Sequence, residues 1–186
     1  MKNKVSAVAI ATVLASIAMA SQVNAATTTV SGGNIHFTGE VVNAACAVDT
    51  GSADQTVVLG QVRNTKLATK GAVSNQKQFF IKLKDCDTSV SATASVAVNG
   101  TADANDNSAL AVSGLTTQGV VATNVGIQIL DAAAKVITPN TGTAGASSVL
   151  IDGSSSIPLY AQFIATADGA TAGAADADAT FNIAYN

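Results

Sequence analysis

Side chains able to carry chemistry are scarce in this sequence. It holds one histidine, two cysteines, two prolines, no tryptophan and, at Glu40, a single glutamate. Charged residues fill 11% of its 186 positions, against about 25% in an average globular protein. Few groups remain for acid–base, nucleophilic or metal chemistry. Nine basic residues stand against twelve acidic ones, and a nucleic-acid binder needs the reverse, a basic patch that releases phosphate counterions. Beyond the N-terminus no apolar run approaches the roughly 18–20 residues of a membrane-spanning helix. Aromatics are 4%, so the 48% hydrophobic fraction rests on alanine and valine. The length suits one domain with a light core, and the composition favours a structural or binding role.

The N-terminus has the pattern of an export signal. Lys2 and Lys4 supply a positive start, Val5 to Ala20 an apolar stretch, and Val23-Asn24-Ala25 a small-residue cleavage site. A membrane anchor fits less well, because the run is short and contains Ser6, Thr12 and Ser16. Cleavage after Ala25 leaves 161 residues with seven basic and twelve acidic groups. Export also places Cys46 and Cys86 in an oxidising compartment, where one disulfide is the simplest reading. Closing that 40-residue separation should stabilise the fold by roughly 4 kcal/mol on the chain-entropy model. A redox pair or metal site lacks support, since there is no Cys-x-x-Cys and only His36 to assist.

The remainder alternates like strands. Thr56 to Leu59 is a β-branched run stopped by Gly60. In Lys77 to Leu83, Phe79, Ile81 and Leu83 share one face and Lys82 and Lys84 the other. Val90, Ala92, Ala94, Val96 and Val98 keep the same period, with Asn99-Gly100 as a turn signal. Asn124 to Leu130 and Ile157 to Thr166 follow, the latter with Pro158 at its start, where a missing donor is tolerable. No segment combines helical periodicity with caps. Short strands, turns and one disulfide predict an all-β, immunoglobulin-like sandwich.

Both ends depart from an ordinary sandwich. Gly33, Ile35, Phe37, Gly39 and Val41 alternate with Asn34, His36, Thr38 and Glu40. Ala175, Ala177, Ala179, Phe181, Ile183 and Tyr185 alternate almost to the last residue. Termini are usually frayed and polar. Each of these carries an apolar strand face that needs a cover; the bland alternative is two ordinary edge strands of a complete domain.

Several stretches together resemble one family. They are Gly39-Glu40-Val41-Val42-Asn43-Ala44-Ala45-Cys46-Ala47-Val48, Val57-Val58-Leu59-Gly60-Gln61-Val62 and Leu83-Lys84-Asp85-Cys86-Asp87. Asn124 to Asp131 and Gly173 to Tyr185 continue the likeness. The sequence resembles the pilins of chaperone–usher fimbriae, in particular the major subunits of type 1 fimbriae. Residues 102–119 and 135–156 match less well and suggest surface loops.

The resemblance implies an immunoglobulin-like sandwich lacking its last strand, completed by a donor strand from a neighbouring subunit. Residues 1–25 would be the signal peptide, 26–41 the donor extension and 42–186 the pilin domain. Gly33, Ile35, Phe37, Gly39 and Val41 would enter a neighbour's groove by strand addition. Burying Ile35, Phe37 and Val41 at about 1.5–3 kcal/mol each gives on the order of 5–9 kcal/mol. Gly173, fourteenth from the end, and Phe181, Ile183 and the penultimate Tyr185 would mark recognition by a periplasmic chaperone and an outer-membrane usher. The implied product is a head-to-tail homopolymer, joined by other pilins of the same fimbria, in an adhesive surface fimbria. No cofactor, metal or nucleic acid is implied. A minor or adaptor pilin, or a monomeric secreted binding sandwich, is the alternative.

Enzymatic motifs fare poorly. Ser74-Asn75-Gln76-Lys77 fits Ser-x-x-Lys without the partner motifs of that enzyme class. Asp103 to Asn107 begins like a calcium loop, but Ser108 stands where the sharp turn needs glycine and Gly114 where the bidentate glutamate belongs. His36 has no specified relay partners. Asn99-Gly100-Thr101 matches a glycosylation acceptor and equally a turn. The expectation is a non-enzyme.

Overall fold

Period-two patterning builds the long strands. The computed structural model describes residues 30, 32–114 and 119–186; the export signal lies outside them. The chain divides into two units, Met1–Gly39 and Glu40–Asn186. In the second, β1 (Ala47–Val48) leads through a four-residue helix, α1 (Thr50–Ala53), and a 3-10 turn at Asn64–Leu67 to β2 (Lys77–Cys86). β3 (Thr93–Gly100), β4 (Leu110–Ala111), β5 (Val125–Leu130), β6 (Ser148–Val149), β7 (Gly153–Ala165) and β8 (Ala179–Tyr185) follow. They form an antiparallel five-stranded sheet, β1-β2-β7-β5-β4, and a three-stranded sheet, β6-β3-β8.

The apolar faces meet between the sheets. Ile81 and Leu83 of β2 and Ile157 and Leu159 of β7 pack in one cluster with Ala94, Val96 and Val98 of β3. A second cluster gathers Leu67, Val125, Phe163 and Ala165, with Leu59 and Val62 against it. Cys46 and Cys86 sit in the first cluster and are joined in a disulfide.

Reaching that disulfide requires a break in alternation. Leu83 pairs with Ser155 but Cys86 with Gly153, so β2 carries one extra residue. Strict alternation would turn Cys86 outward with Lys82 and Lys84. Asp85, at φ 52°, takes up the extra residue in the left-handed region, and Cys86 arrives on the inner face.

Other expectations shift for physical reasons. Pro158 lies inside β7, opposite Phe80, and does not open the strand. The Phe80 carbonyl accepts a bond from Gln55 Nε2, outside the β2–β7 ladder, so Phe80 and Pro158 form a non-hydrogen-bonded pair. Pro158's nitrogen therefore points toward β5, which has ended at Leu130, and no ladder bond is lost. Thr56 to Leu59, expected as a strand, belongs to none among the described residues. Val90 and Ala92 precede β3, while Asn99 and Gly100 remain inside it, paired with Thr180 and Ala179.

Residues 135–156 are more than a surface loop. Ile137 and Leu150 are buried in the first cluster. The amides of Asn140, Gly145 and Leu150 donate to the carbonyls of Val98, Val96 and Ala92, covering the β3 edge that faces away from β8. Buried Asp131 holds this segment in place. Its Oδ1 accepts the amides of Ala133 and Lys135, and its Oδ2 that of Ala146. Burial by itself would raise the Asp131 pKa; the three amides and Lys135 together pull it below the ordinary carboxylate value. A depressed folded-state pKa contributes stability above the unfolded value, lost as pH falls through the folded one. Denaturant midpoints should therefore decline from about pH 4 downward. Asp131→Asn sets an amide donor against one of these donors. It should cost about 1–3 kcal/mol at pH 7 and flatten that acid limb, which urea titrations across pH would record.

Candidate functional site

β8 is built to be covered on one side only. Its pairs with β3 run from Ala94–Tyr185 to Gly100–Ala179. Because the carbonyls of Val96 and Val98 accept bonds from the 140–145 segment, these two residues form non-hydrogen-bonded pairs with Ile183 and Phe181. The amides and carbonyls of Phe181 and Ile183 consequently point away from β3. Among the described residues no backbone hydrogen bond is seen on that outer edge of β8. The same residues send half-covered side chains to the core: Phe181, Ile183 and Tyr185 pack against the first cluster. An open ladder and an unfinished core thus coincide on one strand. Leu59 and Val62, which belong to no strand, share a cluster with Ala175, just before β8.

The N-terminal apolar residues show the complementary deficiency. Residues 32–43 form no helix or strand, and Ile35, Phe37 and Val41 are 79%, 91% and 101% exposed. Their neighbours Asn34, His36, Thr38 and Glu40 are exposed as well. Three bare apolar side chains at alternate positions are costly in water at about 1.5–3 kcal/mol each.

Each C-terminal residue singled out from the sequence has a place in the domain. Tyr185 donates its hydroxyl to the Cys46 carbonyl at 2.9 Å, tying the end of β8 to the disulfide. Burial raises its pKa above the ordinary phenol value. Tyr185→Phe removes only that bond and should cost about 1 kcal/mol, whereas Tyr185→Ser also empties the ring's site and should cost roughly 2–3 kcal/mol more. Thermal unfolding of the two variants side by side checks the difference. Gly173 lies against residues 120–122, where an added Cβ would come within 2.4 Å of the Ala122 nitrogen and the Val120 oxygen. Sequence reasoning did not find this packing role, nor that of Asp131.

The enzyme-like motifs are occupied locally. Ser74 Oγ donates to the Asn75 carbonyl and accepts from the Phe163 amide. Asp103 accepts the amides of Asn105 and Asp106, and Asp106 those of Ser108's backbone and hydroxyl, so the calcium-like loop is a pair of Asx turns.

A profile of fimbrial proteins matches residues 35–186. A type-1 fimbrial protein, A chain, of Escherichia coli K12 is 51% identical over 162 residues, covering 87% of each chain. This chain belongs to the fimbrial protein family. Another Escherichia coli type-1 fimbrial A chain is 46% identical to this fimbrial protein over 186 residues, the full length of both. A chain from a chaperone–usher pilus structure that addresses rod uncoiling aligns with a TM-score of 0.68 at 26% identity, covering 86% of this fimbrial protein and 99% of that chain. The incomplete immunoglobulin-like sandwich expected from the sequence is therefore the fold of this fimbrial protein. It is an exported structural pilin of a surface fimbria and polymerises with other pilin subunits.

Proposed function

We propose that this pilin polymerises head to tail by donor-strand exchange, residues 26–41 of one subunit completing the 42–186 domain of the next after removal of residues 1–25. One observation carries the proposal: the outer edge of β8 is unpaired where its inward side chains are half-covered. A strand laid there would gain the backbone bonds offered by Phe181 and Ile183 and finish the core above them. Ile35, Phe37 and Val41 are the exposed apolar residues with the required period, and Gly33 and Gly39 occupy the shallower positions. Before a neighbour arrives the same edge needs a temporary cover. A periplasmic chaperone supplies it, recognising Phe181, Ile183 and Tyr185 together with Gly173, and an outer-membrane usher receives the complex. The subunit has no catalytic role in this scheme.

Deleting residues 26–39 tests it. The variant should still be exported, oxidised and recovered with the chaperone, because its own edge is unchanged, but it should terminate growth and leave cells without long fibres by negative-stain microscopy. Long fibres from the deletion would rule out donor-strand exchange for this chain.

A further inference from the structure

The N-terminal extension carries one acidic side chain. Residues 26–42 contain Glu40, the only glutamate of the chain, and no aspartate, lysine or arginine. Glu40 is exposed and forms no ion pair among the described residues. It lies three residues beyond Phe37, about 10 Å along an extended strand. A donor whose Ile35 and Phe37 cover Phe181 and Ile183 therefore carries its carboxylate toward one end of the acceptor's open edge.

The two ends of that edge differ in charge. At the Tyr185 end stands another acid, Asp87, whose amide donates to the Ala45 carbonyl beside the Cys46 carbonyl that Tyr185 holds. At the other end Leu59 and Val62 meet Ala175 and, with Phe163, line a cleft of about 490 Å³ that also has Arg63 and Lys66 on its walls. Lys66 Nζ donates to the neutral Asn75 Oδ1 at 2.7 Å, and Arg63 has no carboxylate partner among the described residues. Asp176 and Asp178 stand on the β8 side of this end, so a donor carboxylate is drawn to the opposite, basic side. A second cleft sets Lys82 and Lys84 beside Val149 and Ile151, but there Asp49 already pairs with Lys84.

Resting on the donor-strand reading, we propose that Arg63 and Lys66 are specificity-determining residues of the acceptor, which select the donor strand of a second copy of this chain through its Glu40. Neighbouring residues of a strand point to opposite faces, so Val41 meets the apolar floor while Glu40 meets the basic rim. Charges at such a rim govern which strand is accepted, and how fast, more than how tightly it is held.

The test offers the exported full-length chain two synthetic peptides of residues 29–42, blocked at both ends, one with the native sequence and one with Glu40→Lys. The wild-type chain should take up the native peptide about tenfold faster at low salt, and the ratio should narrow toward one at about 1 M salt. An Arg63→Glu/Lys66→Glu chain should prefer the Glu40→Lys peptide. Because each chain is scored by the ratio of two peptides, a general loss of stability does not imitate this reversal. Carbodiimide coupling of the bound native peptide should join Glu40 to Lys66. The same preference in both chains, or coupling at Lys82 or Lys84 instead, would overturn the assignment. Failure of the wild-type chain to take up either peptide would strike the donor-strand reading itself.

Discussion

Phe37→Asp is expected to remove the subunit from assembled fimbriae while leaving export and disulfide formation untouched. Phe37 is almost fully exposed in the single chain, so the folded domain does not depend on it. In the proposed polymer it enters an apolar site, where an unpaired carboxylate costs several kcal/mol. Each 1.4 kcal/mol is a factor of ten, so even about 4 kcal/mol reduces incorporation on the order of a thousandfold. His36→Ala and Thr38→Ala alter the opposite face of the same alternating segment and should incorporate nearly as the parent does. Immunoblots of sheared fimbriae against the periplasmic pool compare the three. Equal incorporation of Phe37→Asp and His36→Ala would show that the donor phase is wrong.

Gly173→Ala should damage the domain itself. Two bonds bracket the site: Ala174 donates to the Val120 carbonyl and accepts from the Ala122 amide, both at 2.9 Å. They hold residues 120–122 against Gly173 so closely that a methyl group would lie 2.4 Å from backbone atoms. No side chain can rotate to make room; main chain must move. The loss should be about 3 kcal/mol or more, a large share of a typical stability of about 5–15 kcal/mol. The yield of oxidised subunit and its urea midpoint should both fall. Gly119→Ala, with open space around its Cβ, should leave them unchanged. A Gly173→Ala subunit with parental stability but defective assembly would make recognition, and not packing, the role of this glycine.

Period-two patterning made β2, β5 and β7 legible because one face of each long strand meets a continuous core. What escaped it were features that depend on a partner strand. The bulge at Asp85 appears only when Leu83 and Cys86 are counted against Ser155 and Gly153. Pro158 looked like a strand start because its tolerance comes from where β5 ends, information held 28 residues earlier. The closed edge of β3 depends on carbonyls met by residues 140–150, whose own sequence resembles a loop. At the candidate site, the apolar alternation of Phe181, Ile183 and Tyr185 was readable directly. The hydroxyl of Tyr185 on the Cys46 carbonyl was not, since nothing in the spacing of those two residues brings them together.

The cover that residues 140–150 place over β3 decides the connectivity of any assembly. Short β1 and β4 flank the larger sheet, the exposed side of β2 is met by Asp49, Ser52 and Gln55, and residues 101–103 lie along β4. With β3 closed as well, a subunit that polymerises as proposed is in polymer terms a bifunctional monomer, one donor and one acceptor. Bifunctional units cannot branch or gel, and they do not stack indefinitely edge to edge as exposed strands do. Growth in such a system is strictly linear, and fibre length follows from the ratio of two-ended subunits to any that lack one end.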